Sequence, residues 1–137
     1  MHKELLERVM ELLLKGDSAV LAALRMQFQN SAIDSIEETG AGVFVDFEVS
    51  DSSLKLELQG VKKDFVFGDV FGVIDDVFGA VGFILFVKNG YISMLEGYSN
   101  IPEGWERVDN TMELKYIGEG TRDMTEISSK WTETGKE

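Results

Sequence analysis

The chain of 137 residues carries 25 Asp and Glu against 13 Lys and Arg, giving a formal net charge of −12, and 44% of its residues are hydrophobic. This length and composition predict one folded domain and exclude a mainly disordered chain. The charge argues against binding to nucleic acid or to an anionic membrane surface, and the absence of cysteine excludes disulfides and thiolate metal sites.

The first segment predicts two helices joined by a very short link. Apolar residues share one side of a helix over residues 3–15: Leu5, Leu6, Val9, Met10, Leu12 and Leu13. Gly16 is suited to end that helix, and Asp17 or Ser18 is suited to cap a second one that runs to about Phe28. We therefore expect a helical hairpin whose apolar side packs on the rest of the fold.

After Ala32 the spacing of apolar residues changes from helical to alternating, which indicates strands. Ile33 and Ile36 are weak strand signals. Residues 43–49 alternate apolar with mainly polar side chains, and residues 54–58 also alternate. We expect these last two segments to form a hairpin with one solvated face. The charged residues on that face would be Asp46, Glu48, Lys55 and Glu57.

The stretch of residues 65–100 holds the densest apolar run of the chain and the turn Asn89-Gly90. Both turn residues tolerate a positive φ, so the pair favours the type I′ turn of a two-residue hairpin. An uninterrupted ladder from this turn pairs Lys88 with Tyr91, and both faces of the hairpin are then mainly apolar. We expect the hairpin to lie in the middle of the sheet and to be largely covered on both sides.

Glu96 interrupts the apolar pattern of this hairpin. The uninterrupted ladder places it opposite Phe83, where a buried carboxylate needs a partner or takes up a proton. It is either a pocket acid or binding anchor, or a glutamate near the open end of the sheet that is paired with a basic side chain or hydrated. Gly82 and Gly97 indicate a bend or a close backbone approach, and a sharply curved sheet would form a concave site.

Two further strands complete the predicted fold. Residues 65–74 form a strand with a bulge or bend at Gly68 or Gly72, and residues 112–116 form the last strand. Trp105, in the preceding loop, is interpreted as a hydrophobic clamp on the sheet edge or, alternatively, as a ligand-stacking residue. The fold class is α+β, with an N-terminal helical hairpin packed on a curved, mostly antiparallel sheet of about six strands.

We assign residues 1–118 to a single α+β domain. The highly polar residues 119–137 lack sustained periodicity, so we expect a tail that is poorly ordered or loosely docked. Its candidate anchors are Met124, Ile127 and Trp131.

No motif in the chain indicates catalysis or a cofactor. A phosphate loop, a dinucleotide fingerprint and a nucleophile elbow are all missing. The single histidine, His2, argues against histidine-based catalysis and multi-histidine metal sites. Asp75-Asp76 is interpreted as a turn, since an EF-hand spacing of ligands is absent. We therefore expect no catalytic residues, no cofactor and no metal.

A glycine hairpin followed by Leu95-Glu96-Gly97-Tyr98 resembles a group of small bacterial proteins that have no established activity. The similar segments are residues 67–70, 79–86 and 90–98. Small acidic bacterial proteins of this kind include immunity proteins that neutralise toxins. By that analogy the resemblance implies a binding role and no catalytic residues.

Two functions are open from the sequence. The first is a non-enzymatic acidic binding protein, an inhibitor or immunity-type partner of a basic protein, because uniform negative charge attracts basic partners. The alternative is a small-molecule binding domain or simple acid–base enzyme with a pocket in the curved sheet around Glu96. Candidate binding residues are Glu96, Tyr98, Trp105, Tyr91 and Asp69. We also expect a cytoplasmic location, and the apolar hairpin would permit a homodimer.

Overall fold

The structure, a computed structural model, describes residues 1–118 and 120–133. Its main elements are α1 (Lys3–Leu13), α2 (Ala19–Gln29), β1 (Ala32–Glu38), β2 (Gly42–Glu48), β3 (Phe65–Ile74), β4 (Val77–Lys88), β5 (Tyr91–Ser99), β6 (Glu113–Tyr116) and α3 (Met124–Ser128). The strands form one six-stranded sheet in the order β1-β2-β5-β4-β3-β6, and neighbouring strands are antiparallel. The predicted α+β class is confirmed. Within the predicted tail, Glu119 and residues 134–137 lie outside the described residues.

Helices α1 and α2 lie against one face of the sheet, which we call the inner face. Their buried residues share one core with side chains from β2, β4 and β5, among them Val45, Phe83 and Leu95. The predicted cap is present, because Ser18 Oγ accepts a 2.9 Å hydrogen bond from the backbone N–H of Leu21. The predicted helical hairpin is therefore confirmed, and it forms one layer on the sheet.

The central hairpin forms with the predicted turn. Asn89 and Gly90 have φ angles of 54° and 82°, which a type I′ turn requires at both of its central residues. Lys88 pairs with Tyr91, as the sequence predicts. The hairpin also lies in the middle of the sheet, since β4 and β5 are its two central strands.

The predicted position of Glu96 is wrong. A β-bulge shifts the β4–β5 register by one residue after the pair at Val87, before the pair at Phe86. Glu96 therefore lies opposite Ile84 rather than Phe83. Because a slip of one residue moves every later side chain to the other face, Glu96 points away from the helices and is only half-buried.

The predicted strand over residues 54–58 does not form. Ser52–Leu54 is a 3₁₀ helix instead, and β2 pairs with β1 and β5 on its two sides. Asp51 starts the helical turn, because its Oδ1 accepts a 3.0 Å hydrogen bond from the backbone N–H two residues later. Leu56 is still buried, and its N–H donates to the carbonyl oxygen of Gly90 at 2.9 Å. The segment therefore packs beside the hairpin turn without joining the sheet.

Gln27 ties this segment to the hairpin and to the helices. Its fully buried side chain donates from Nε2 to the carbonyl oxygens of Leu54 and Gly90 at 2.9 and 2.8 Å. Its Oε1 accepts a 2.8 Å hydrogen bond from the N–H of Ile92. A buried polar group without a hydrogen-bond partner costs about 1–3 kcal/mol. The Gln27 side chain avoids this cost by supplying partners for the backbone groups of Leu54, Gly90 and Ile92.

Within residues 120–133, Ile127 and Trp131 pack on the core, and both are among the anchors named from the sequence for this segment. Ile127 and Trp131 are 2% and 4% exposed. The Trp131 ring lies 5.8 Å from Phe65 and 5.7 Å from Phe67 between centroids. Trp131 follows α3 by three residues, and its backbone N–H donates to the carbonyl oxygen of Ser128 at 3.3 Å.

The other face of the sheet, the outer face, is not covered by α1 or α2. Its side chains Phe44, Ile84 and Phe86 are half-buried, and Val66 is 45% exposed. The prediction that the hairpin is covered on both sides is therefore wrong. The physical reason is that two helices of 11 residues each form a single layer, and one layer protects one face of a sheet.

Candidate binding face on the outer side of the sheet

The antiparallel register aligns the outer-face residues in three rows across the sheet. The first row is Ser35, Asp46, Met94, Phe86 and Val66. The second row is Glu37, Phe44, Glu96 and Ile84. The third row is Gly42, Tyr98, Gly82, Phe71 and Lys115. Acidic side chains therefore occupy the half formed by β1, β2 and β5, and large apolar side chains dominate the half formed by β4 and β3.

Three carboxylates, those of Glu37, Asp46 and Glu96, surround Phe44 on the acidic half. Glu37 and Glu96 are its direct cross-strand neighbours on either side. Asp46 Oδ2 accepts a 2.7 Å hydrogen bond from the hydroxyl of Ser35. Among the described residues none of the three forms an ion pair. Neighbouring like charges repel one another, so a cation supplied from outside would relieve this cluster.

A shallow groove lies across the boundary between the two halves. This depression of about 610 Å³ is lined by the apolar side chains of Val66, Phe86 and Met94, by Asp46 and Asp64, and by Lys88 next to the hairpin turn. It is accessible to solvent, as the 45% exposure of Val66 shows. An apolar groove bordered by two carboxylates and one lysine can accept a partner surface on which basic residues lie beside apolar ones.

Tyr98 lies over the centre of the outer face because Gly82 leaves room for its ring. A Cβ atom at Gly82 would overlap the Tyr98 hydroxyl oxygen, so a larger residue there would displace the ring. Burial raises the pKa of the Tyr98 hydroxyl above 10.0, and the negative charge of Glu96 raises it further. The charge of Glu96 therefore disfavours ionisation of Tyr98 on this part of the outer face.

Replacing Glu96 with glutamine is expected to lower the pKa of Tyr98, because the neighbouring negative charge disfavours the tyrosinate. The pKa should stay above 10.0, since burial is the larger cause of its rise. An NMR titration of the Tyr98 ring carbons measures the change. Tyr116 is the internal control, because Glu96 is not among the groups that raise its pKa. If the pKa of Tyr98 does not change, the Glu96 carboxylate does not lie close enough to affect it, and the placement of this pair is contradicted.

Trp105 lies on the inner face, with its ring over β5 and its indole nitrogen bonded to a residue of the edge strand β1. Its ring packs over Gly97, where the missing side chain leaves a gap, and its centroid lies 6.1 Å from that of Phe83. Its Nε1 donates a 3.3 Å hydrogen bond to Glu38 Oε1. With 8% exposure, Trp105 closes one end of the core, and the sheet separates it from the outer face.

Asp69 is held in an internal ion pair. Arg122 donates from Nε and from a terminal nitrogen to the two oxygens of Asp69 at 2.8 and 2.9 Å. The side chains of Arg122 and Asp69 are 6% and 9% exposed. The guanidinium also lies 5.7 Å from the ring of Phe67 and 5.2 Å from that of Tyr116. Asp69 therefore joins β3 to the C-terminal segment and has no oxygen aimed at a ligand.

The structure brings Glu96 and Tyr98 together on the outer face. Asp69 lines the same depression as Tyr98 but is paired with Arg122, and Trp105 lies on the inner face. Tyr91 lies at the hairpin turn, opposite Lys88 and half-buried. The sequence reasoning missed the apolar members of the outer face. One signal was available: Phe44 occupies a position in the alternating segment 43–49 where a solvated strand face would carry a polar residue.

Comparison of the chain with protein-family models, with curated proteins and with solved structures finds no match. The resemblance to small bacterial proteins therefore stays a prediction. Among the described residues, no helix is both long and apolar enough to cross a membrane. In the same part of the chain, no group of three or more histidine, aspartate and glutamate side chains is placed to hold a metal ion.

Proposed function

We propose that this protein is a non-enzymatic acidic binding protein that uses the outer face of its sheet to bind a basic protein. An inhibitor or immunity-type role is the function that fits best. The observation that carries the proposal is the outer face, which α1 and α2 leave uncovered. On it apolar side chains lie beside the carboxylates of Glu37, Asp46 and Glu96, none of which forms an ion pair within residues 1–118 and 120–133. A bacterial and cytoplasmic origin belongs to the same proposal.

The two halves of the outer face would contribute differently to binding. The apolar half, with Val66, Ile84 and Phe86, would supply affinity, since buried apolar and aromatic contacts dominate interface energetics. The acidic half would raise the association rate and select basic partners, because complementary charge acts mainly on encounter and specificity. The net charge of −12 extends that attraction beyond the face itself.

The alternative, a pocket acid at Glu96, has less support. It depends on a carboxylate enclosed by a curved sheet, whereas Glu96 lies on the outer face between Ile84 and Phe44. The other acidic candidate residue, Asp69, is already ion-paired with Arg122. An acid–base enzyme would need a second polar group converging on Glu96 in an enclosed site. Tyr98 and Asp46 lie near Glu96, but all three belong to the outer face of the sheet and not to an enclosed pocket.

The proposal predicts salt-sensitive capture of one basic protein that depends on the outer face. The immobilised chain is incubated with native lysate at low and high salt, and retained proteins are identified by mass spectrometry. We expect Val66→Lys and Glu96→Lys each to reduce retention of that protein by about tenfold or more, because a centrally placed interface substitution costs 1–2 kcal/mol or more.

Matched control variants make this experiment decisive. Met26→Lys changes a similarly exposed apolar residue on α2, since Met26 is 49% exposed and Val66 is 45% exposed. Glu7→Lys makes the same charge change as Glu96→Lys on α1. Both controls should retain the partner. Equal loss in the controls and in the outer-face variants would show general electrostatic attraction and would contradict the proposed face.

A further inference from the structure

Strand β1 is an open edge of the sheet. All seven of its residues are exposed, and it pairs only with β2. At the opposite end of the sheet β6 also pairs on one side only, but it is four residues long and three of them are half-buried. The rest of the neighbouring strand β3 is covered by Trp131, which packs on Phe65 and Phe67. An open edge presents unpaired N–H and C=O groups that can accept another strand.

A bulge in β1 places two exposed isoleucines on the same side of this edge. The register shifts between Ile33 and Ser35, so that Ile33 lies opposite Phe47 and Ile36 lies opposite Val45. Both of these β2 residues are buried on the inner face, whereas Ile33 and Ile36 are each 45% exposed. The apolar inner face therefore continues out to the edge of the sheet, beyond the cover of the helices.

The other side of the same edge is acidic. Ser35 and Glu37 lie opposite Asp46 and Phe44, so their side chains belong to the outer face. The bulge and the acidic residues of β1 are features that protect an edge against pairing with another acidic strand. After the bulge, however, the pairing from Ser35 to Glu38 is continuous, and this part of the strand contains neither lysine nor proline. The edge thus offers a regular backbone with an acidic side and an apolar side.

We propose that β1 receives an extended strand of the basic partner, which adds a seventh strand to the sheet. Alternate side chains of that strand would be basic and apolar. The basic ones would lie beside Glu37 on the outer face, and the apolar ones would cover Ile33 and Ile36. Backbone hydrogen bonds would supply affinity and the alternating side chains specificity. This inference rests on the proposed function and identifies β1 as the strand to which the partner binds.

A second copy of the chain fits this edge less well. Pairing of β1 with β1 of another copy would bring Asp34 and Glu37 of both copies close together, whereas Glu38 is already paired with the N-terminal ammonium group. Like charges on adjacent strands are destabilising, and each copy carries a formal net charge of −12. A basic strand avoids this repulsion and neutralises the acidic side of the edge.

The test uses the full chain and a capped ten-residue peptide of alternating lysine and valine as the probe. Binding is followed by NMR titration, and amide hydrogen exchange is measured with and without saturating peptide at physiological salt. Strand addition should slow exchange of β1 amides by about tenfold or more, since newly formed ladder bonds protect them. Glu37→Lys should weaken binding by about tenfold or more, while Glu7→Lys should change it less than about twofold.

Binding without protection of β1, no binding at all, or equal weakening by Glu7→Lys would each overturn the edge proposal. So would a dimer whose β1 amides are already protected before peptide is added. These failures are separable from failure of the proposed function. If the outer-face variants still abolish partner capture while β1 stays unprotected in the complex, the outer face binds the partner without an added strand.

Discussion

Replacing Arg122 with alanine is expected to lower the free energy of unfolding by about 3–5 kcal/mol, because breaking a buried ion pair leaves its other charge uncompensated. The Asp69 carboxylate would lose two hydrogen bonds of 2.8 and 2.9 Å in a site where its side chain is 9% exposed. The aromatic rings of Phe67 and Tyr116 would also lose the cation that lies over them. Urea denaturation followed by circular dichroism measures the change.

Arg107 supplies a matched control for this substitution. It forms an ion pair with Asp75, but the two side chains are 44% and 71% exposed. Exposed pairs contribute about 0–1 kcal/mol, so Arg107→Ala should have a small effect. Adding Asp69→Ala to Arg122→Ala should lower the free energy of unfolding little further, because the second substitution removes the buried charge that has lost its partner. Similar small losses for Arg122→Ala and Arg107→Ala would contradict the buried pair.

Replacing Trp131 with alanine is expected to lower the free energy of unfolding by about 3–5 kcal/mol, the usual range for a buried aromatic residue. The Trp131 ring is 4% exposed and packs on Phe65 and Phe67. The backbone of Trp131 is also hydrogen-bonded, since its carbonyl oxygen accepts a 2.7 Å hydrogen bond from the backbone N–H of Lys62. Equilibrium denaturation gives the loss, and faster exchange of the α3 amides would show where it acts.

A Trp131→Phe variant should lose less stability than the alanine variant, because it keeps a ring against the two phenylalanines. Trp105→Phe, made in both backgrounds, allows the fluorescence of Trp131 to be followed alone, as these are the two tryptophans of the chain. A loss below about 0.5 kcal/mol for Trp131→Ala would match a surface substitution. That result would support the loosely docked tail that the sequence predicts over a firmly packed C-terminal segment.

Together these two experiments bear on binding as well as on stability. Arg122 and Trp131 hold the C-terminal segment against β3. If the segment detached, Phe65 and Phe67 would become exposed, and the β3 side of the sheet would offer a second surface for association. A stable C-terminal segment keeps Phe65 and Phe67 covered, so that this second surface does not form.

The elements recognised correctly from the sequence are those with short-range causes. The helices follow from the apolar stripe of α1 and the cap at Ser18, and the hairpin follows from the positive φ that Asn89 and Gly90 both tolerate. The strand predicted over residues 54–58 failed, although its residues alternate. Sheet pairing was already satisfied on both sides of β2, and this depends on segments far away in the chain.

The candidate site was predicted only in part for the same reason. Glu96 and Tyr98 were identified, but a single bulge in β5 decides that Glu96 lies opposite Ile84 and faces outward. The role of Asp69 was missed because its partner, Arg122, is 53 positions away, and nothing near either residue marks the pair. Long-range partners of this kind leave no periodic signal in the sequence.

The sequence by itself determined the α+β class, the helical hairpin, the central β-turn and the strongly acidic surface. Each of these depends on residue type, on local backbone preference or on spacing within one segment. Only the tertiary structure decided which face of the sheet stays uncovered, which edge stays open and which acids are already paired. These features depend on one helix layer covering one sheet face, and on bulges that turn every later side chain to the opposite face.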